Sequence, residues 1–301
     1  MSASNDLSAA RRGIWLVCFA SILWGTVGIA TQTVYHQSNL SALSVGFWRL
    51  AFAWPVVALA GRVFVERPAL PHSRPQLLRM LAIGAMLALY QVCYFSAISQ
   101  VGVAIATLIT LCSAPAIVAL LSVWWLRERL TQRTLLALAC ALAGTVLLVG
   151  TPQGLGEQGQ LLLGAALALG SATGYAIVTL LGKGLAAEVH PLRSAGISFA
   201  AGALCLLPFA AAAGLTSAQP LPVWALLGYI GVVPTALAYL CFFLAMRYVP
   251  ASTASILTLL EPLTATLLAW WLFDERLGPG GALGALLLLG AIAILYRGAR
   301  S

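Results

Sequence analysis

Apolar residues in this chain form long uninterrupted runs, and short links carrying charged and turn-forming residues separate them. A helix of about 20 such residues, rising 1.5 Å per residue, crosses the roughly 30 Å hydrocarbon core of a bilayer. Strands of an outer-membrane barrel would instead alternate apolar and polar residues over about ten positions. The pattern therefore predicts an all-α integral membrane protein with ten transmembrane helices, here called spans 1 to 10, at residues 13–33, 41–61, 77–97, 102–126, 134–150, 160–181, 191–213, 221–245, 251–273 and 280–296.

The basic residues predict how these spans are oriented. Lys and Arg collect in the cytoplasmic links of membrane proteins. With the N-terminus inside, only Arg276 of the 16 basic residues falls in an outer link, and only Arg49 falls within a span. We therefore expect both termini to be cytoplasmic.

The two halves of the chain resemble each other in sequence. Residues 124–130, at the end of span 4, recur in altered form as residues 270–277 at the end of span 9, and Pro115 and Pro262 precede these motifs at equal distances. Because each half has an odd number of spans, the second copy must enter the membrane upside down. We predict two inverted five-helix repeats, residues 1–150 and 151–301. Such repeats allow one central site to open to each side in turn, which favours a transporter.

Several short motifs carry a resemblance to a known family. They are Trp24-Gly25 in span 1, Arg49 in span 2, Pro115 with Glu128-Arg129-Leu130, and Glu261-Pro262 with Glu275-Arg276-Leu277. In order and spacing, the chain resembles the EamA-type ten-helix transporters of the drug/metabolite transporter superfamily. Among these it looks most like the YddG-type aromatic amino acid exporters. The resemblance implies an inner-membrane exporter with a central cavity between the repeats. Span 6 lacks the Trp-Gly pair of span 1, so the repeats are not functionally equivalent.

Composition excludes several other classes of protein. Hydrophobic residues make up 61% of the chain and charged residues only 8%, and the mean hydropathy is +0.97. The net charge of +8 is spread over the links rather than gathered on one nucleic-acid-binding face. The six cysteines lie within apolar runs without metal-ligand spacing. We expect no nucleic acid partner, no metal and no cofactor, and the sequence does not indicate the oligomeric state.

An intramembrane enzyme also fits poorly. An aspartyl protease needs two buried aspartates, whereas Asp6 and Asp274 lie near the membrane surfaces. The three histidines are scattered over the links, and the lone lysine, Lys183, is in a link as well. We predict that the protein is not an enzyme, and a channel or receptor remains an alternative of a different class.

Two ionisable residues lie deep within the predicted spans. Glu261 is about ten residues into span 9 and Arg49 about eight into span 2, which places both near the midplane. Such residues usually face a cavity or a partner because an isolated charge in lipid is costly. One interpretation is that Arg49 and Glu261 pair with each other as buried structural charges. Another is that Glu261 binds a substrate ammonium group or a proton, and that Arg49 holds a carboxylate.

Other residues near the middle of the spans are candidates for substrate contacts. Aromatic rings with polar tips suit an amino acid with a bulky apolar side chain. Helix packing is the alternative for each of them. The prolines of the two matched motifs, Pro115 and Pro262, are candidate hinges because each removes a backbone hydrogen bond. The candidate substrate-binding set, with Glu261, is Trp24, Tyr90, Gln91, Tyr94, Tyr175 and Tyr239.

The sequence thus predicts an exporter of aromatic and other neutral or hydrophobic amino acids that works by alternating access. With one buried carboxylate and no buried histidine, a proton relay is not visible. We therefore expect a facilitator. A proton-coupled exporter of drugs or other metabolites is the alternative within the superfamily.

Overall fold

A computed structural model of the chain describes residues 2–64, 73–149, 158–215, 218–273 and 278–298. These residues form helices and short links, with no β-strand among them. One short π-helix, Val232–Leu237, interrupts the α-helices. The α-helices are α1 (Ser2–Gly25), α2 (Val27–Gln37), α3 (Ala42–Phe64), α4 (Arg74–Trp125), α5 (Gln132–Val149), α6 (Gln158–Leu185), α7 (Pro191–Ala212), α8 (Leu221–Gly231), α9 (Ala238–Ala245), α10 (Ala251–Leu257), α11 (Leu260–Phe273) and α12 (Pro279–Gly298).

The ten predicted spans are confirmed. Ten helical segments are long and apolar enough to cross a membrane: Ser8–Gln37, Ala42–Phe64, Arg74–Val103, Ile105–Trp125, Gln132–Val149, Gly159–Leu185, Pro191–Ala212, Leu221–Ala245, Ala251–Leu272 and Pro279–Gly298. Several run a few residues beyond the predicted ends, because a helix continues into the headgroup region where polar residues are tolerated. The second copy of the motif, Glu275-Arg276-Leu277, lies outside the described residues. The orientation of the termini and the boundaries of the two repeats stay predictions.

Spans 1, 8 and 9 are not continuous α-helices. Span 1 breaks at Thr26, between α1 and α2, and span 9 breaks at Thr258 and Leu259, between α10 and α11. In span 8 the π-helix lies between α8 and α9. Irregular backbone is tolerated at membrane depth only where it is buried in protein or lines a cavity. These three irregular segments therefore mark where a site is to be sought.

Glycines bring pairs of spans into close contact. A Cβ atom built on Gly144 of α5 would lie 2.8 Å from the carbonyl oxygen of Gly284 in α12, and one on Gly284 would lie 2.6 Å from the oxygen of Gly144. Small residues at both positions allow α5 and α12 to pack this closely. Gly84 likewise allows α4 and α7 to come into close contact.

His190 caps helix α7 at the link that follows span 6. Its Nδ1 accepts the N–H of Leu192 at 3.3 Å. Partial desolvation, together with the nearby charges of Arg247 and Arg193, lowers the pKa of His190 below its usual value of 6.5. The folded protein therefore holds the neutral form, whereas the unfolded chain takes up a proton as the pH falls through about 6.5.

We expect the wild-type unfolding temperature in detergent to fall as the pH drops from 7.5 to 5.5. The change should be small, because the ring is largely exposed. His190→Asn keeps a capping acceptor but does not titrate, so its unfolding temperature should vary less over this range. Equal pH dependence in the two proteins would contradict the assignment of this effect to His190.

Candidate functional site

The breaks in spans 1 and 9 lie side by side. A Cβ atom on Gly25, the last residue of α1, would lie 2.6 Å from Cβ of Thr264 and 2.9 Å from the carbonyl oxygen of Glu261. Only glycine allows this approach. The Trp24-Gly25 motif of span 1 is therefore packed directly against the Glu261-Pro262 motif of span 9.

Pro262 accounts for the break in span 9. Its ring lacks an N–H and clashes with the carbonyl four residues earlier, which belongs to Thr258. The N–H of Glu261 instead bonds the Thr258 oxygen at 2.9 Å. The N–H of Glu261 would otherwise bond the oxygen of Leu257. That oxygen now lies 3.3 Å from the buried Ser21 hydroxyl, which also reaches the Val17 oxygen of its own helix at 2.8 Å. The freed backbone oxygen thus faces a hydroxyl of span 1.

Glu261 lies in the first turn of α11, where the partial positive charge of a helix N-terminus favours a carboxylate. Its side chain is partly buried. Within the described part of the chain, no donor lies at hydrogen-bond distance from this carboxylate, and it forms no ion pair. A membrane-embedded carboxylate without a protein partner is a candidate ligand for a cation or a proton.

Arg49 is held by span 8 rather than by Glu261. Its Nε donates to Oγ1 of Thr235 in the π-helix at 2.7 Å, and that hydroxyl donates to the oxygen of Ile230 in α8 at 2.8 Å. The direct Arg49–Glu261 ion pair, one of the two interpretations of the sequence, is therefore not formed. In the described ranges the ion pair is Arg79–Glu188. The charges of Arg49 and Glu261 are still close enough to interact electrostatically.

Four of the five predicted aromatic residues form one cluster in the same region. The hydroxyls of Tyr90 and Tyr239 lie 3.2 Å apart, and both are close enough to Arg49 to interact with its charge. The Tyr239 ring packs edge-on against Trp24, with 5.0 Å between ring centroids. Tyr175 packs edge-on against Tyr90 at 6.5 Å. Spans 1, 3, 6 and 8 thus each place an aromatic ring here.

Trp24 has an unsatisfied polar atom within this cluster. The residue is only 5% exposed, and its Nε1–H has no hydrogen-bond partner. A buried donor without a partner costs about 1–3 kcal/mol. A ligand with an acceptor atom would remove this cost.

Tyr94 and Gln91 differ from the rest of the predicted set. The Tyr94 hydroxyl pairs with Thr107 of span 4 at 2.6 Å. Gln91 is 3% exposed, and its amide donates to Leu87 of its own helix at 3.1 Å. Its other amide atom lies against Gly46 of span 2. The structure therefore places Gln91 in the packing between spans 2 and 3, not with the aromatic cluster.

The two matched prolines are not equivalent in the structure. Span 9 breaks one turn before Pro262, whereas α4 keeps helical backbone angles at Pro115 and leaves them only at Gly102, with φ of 79°. The two prolines therefore do not interrupt their spans in the same way. A hinge role for either proline stays a prediction.

Sequence reasoning missed two residues of the site. Thr235 fixes Arg49, and the ring of Phe242 lies 5.3 Å from that of Trp24. The sequence contained a signal for Thr235. Pro234 has no N–H to bond the oxygen of Ile230, four residues earlier, so the hydroxyl of the next residue can donate to that oxygen. Phe242 is one of several aromatic residues in span 8, and nothing in the sequence distinguishes it. Here, the central site means Trp24, Arg49, Tyr90, Tyr175, Thr235, Tyr239, Phe242 and Glu261.

Comparison with known proteins identifies the class of this protein. The model of the EamA-like transporter family matches residues 11–150 and again residues 162–297. The chain belongs to this family and is a multi-pass membrane transporter. Membership agrees with the prediction that the chain is not an enzyme.

Relatives of similar length support the family assignment. The chain is 32% identical to the uncharacterised transporter YwfM of Bacillus subtilis, over 92% of each chain. It is also 32% identical to an uncharacterised transporter of Archaeoglobus fulgidus, over 95% of this chain and 97% of the relative. The inner membrane transporter YicL of Salmonella typhimurium, also uncharacterised, is 28% identical over 96% of each.

A solved crystal structure shares the fold. It superposes with a TM-score of 0.80 at 23% sequence identity, covering 94% of this chain and 97% of the other. At this identity the likeness concerns the fold alone.

Proposed function

We propose that this protein exports aromatic and other neutral amino acids across the bacterial inner membrane through the central site. The observation that carries the proposal is the pair of opposite charges, Arg49 and Glu261, placed near one another without a direct ion pair. A zwitterion supplies one partner for each charge. Its side chain would meet the aromatic rings of the central site.

The site chemistry fits an amino acid better than a strongly charged substrate. Nucleotide sugars carry two negative charges and would need several buried basic groups, whereas Arg49 is the basic residue of the site. The rings of Trp24, Tyr90 and Tyr239 offer flat apolar walls, each contact contributing about 0.5–1.5 kcal/mol. Contacts of this size give weak binding, which permits release on the far side.

We further propose that the two halves act as inverted repeats. The family model matches the chain twice, once in each half, and the links after spans 4, 6 and 8 each carry Lys or Arg, as cytoplasmic links do. Discontinuous helices near the midplane are typical of substrate sites in transporters built from inverted repeats. On this basis, the face that carries these links is cytoplasmic.

The test is competition in proteoliposomes that contain the purified protein and labelled phenylalanine. We expect unlabelled phenylalanine and tryptophan to inhibit transport of the label. Phenylpropionate lacks the ammonium group and phenethylamine lacks the carboxylate, so each should inhibit at least about tenfold more weakly, as expected from the loss of a charged hydrogen bond. Threonine tests the neutral, non-aromatic range.

Inhibition by phenethylamine or a quaternary amine alone would contradict the amino acid assignment. It would favour the second candidate, a proton-coupled exporter of cationic drugs, for which the unpartnered Glu261 carboxylate is the specific support. Imposing a pH gradient separates the driving forces. A facilitator should show no strict dependence on this gradient, whereas strict dependence that Glu261→Gln abolishes would establish proton antiport.

A further inference from the structure

Helix α10 lies between the basic links and the central site. It has seven residues, Ala251–Leu257, and joins the link after span 8 to the break at Thr258 and Leu259. Its N-cap residue, Pro250, provides no side-chain hydrogen bond. The free N–H groups at the start of α10 therefore need a partner from another part of the chain.

Glu128, from the link after span 4, is that partner. One carboxylate oxygen accepts the N–H of Ala251 at 2.6 Å. The other accepts the N–H of Ser252 at 3.2 Å and its hydroxyl at 2.8 Å. Ala251 and Ser252 are almost fully buried. One residue of the first half thus caps a helix of the second half with three charge-assisted hydrogen bonds.

The surroundings of Glu128 hold this contact in place. Arg127 adopts a left-handed backbone conformation, with φ of 55°, which is unusual for a residue other than glycine. The N–H of Glu128 donates a hydrogen bond to the oxygen of Ser122 at 3.1 Å. Lys183 donates to the oxygens of Met246 and Val249 at 2.7 and 2.8 Å, and its charge lies close enough to interact with Glu128.

We infer that the contacts of Glu128 with Ala251 and Ser252, here called the Glu128 latch, hold α10 as a closed gate between the basic face and the central site. Released from Glu128, α10 can pivot at Thr258 and Leu259, where the helix is already broken. Because Glu261 follows this pivot directly, movement of α10 changes access to the site without unfolding α11. This inference rests on the proposed transport through the central site.

Span 1 also contacts α10 on the latch side of the site. Toward the basic face, the hydroxyl of Ser21 in α1 lies 3.3 Å from the oxygen of Leu257 in α10. Three residues beyond Gly25, a Cβ atom on Gly28 would have no atom within 4 Å. A cysteine at this exposed position therefore has room for a reagent.

The test uses cysteine accessibility and needs no substrate. The parent is the full chain with the six native cysteines replaced by alanine. Ser255→Cys then reports on the space behind the latch, because Ser255 lies in α10 with none of its surface exposed. Gly28→Cys reports on the opposite side. A membrane-impermeant maleimide is added separately to each face of oriented vesicles.

Glu128→Gln should raise the labelling rate of Ser255→Cys from the basic face by about tenfold or more, because a neutral amide replaces a carboxylate that accepts three hydrogen bonds. It should lower the labelling of Gly28→Cys from the other face. Ser252→Ala removes only the hydroxyl contact and should have a smaller effect. Glu188→Gln is the matched control, because it removes the half-exposed ion pair with Arg79 on the same face. Such exposed pairs contribute little, so it should change labelling less than about twofold.

Unchanged labelling of Ser255→Cys in Glu128→Gln overturns the latch. A rise at both reporters, which is the signature of general unfolding, overturns it as well. If the latch behaves as expected and no amino acid is transported, the substrate assignment fails while the gate stands.

Discussion

Glu261→Gln is expected to lower the initial rate of phenylalanine transport by about 10- to 100-fold at low substrate concentration. Glutamine has nearly the same shape but no charge, so the substrate ammonium group loses a charged hydrogen bond, an interaction of about 1.5–3 kcal/mol. Helix α11 should be unaffected, because the carboxylate makes no hydrogen bond within the described part of the protein. The measurement is uptake of labelled phenylalanine into proteoliposomes without a pH gradient.

Two controls make this result specific. Glu188→Gln neutralises a carboxylate at the surface, and its transport rate should remain within about twofold of wild type. Phenylpropionate should compete about as well in Glu261→Gln as in wild type, since it has no ammonium group to lose. Wild-type transport rates in Glu261→Gln would refute the role of Glu261 in substrate binding.

The second large effect is expected from Gly84→Ala. A Cβ atom at position 84 would lie 2.5 Å from the carbonyl oxygen of Ser198 and 2.8 Å from the backbone nitrogen of Gly202. Backbone atoms cannot rotate away as side chains do, so spans 3 and 7 must separate. Overpacking of this kind costs about 1–3 kcal/mol. We expect a lower yield of folded protein and an unfolding temperature reduced by several degrees, measured by fluorescence in detergent.

Gly290→Ala in α12 is the matched control. No atom lies within 4 Å of a Cβ built at this position. Alanine is a better helix former than glycine by about 1 kcal/mol, so this variant should be as stable as wild type or slightly more stable. A Gly84→Ala protein as stable as Gly290→Ala would show that the contact between spans 3 and 7 can relax.

Part of the site could be predicted from the sequence. Glu261 and Arg49 stand out because ionisable residues are rare in apolar runs and costly in lipid. Depth within the span was the sole criterion that selected Trp24, Tyr90, Tyr175 and Tyr239. Depth along a span does not give the direction in which a side chain points around the helix. Gln91 satisfied the same depth criterion, yet it lies in the packing between spans 2 and 3.

By itself, the sequence determined the number and position of the spans, because the length of an apolar run is set by bilayer thickness and is read locally. The tertiary structure decided which residues meet. Arg49 bonds Thr235, and Glu128 caps α10, across more than a hundred residues of chain in each case. Such partners depend on how the helices rotate and cross, which is fixed by packing of the whole bundle. No periodicity along one span contains that information.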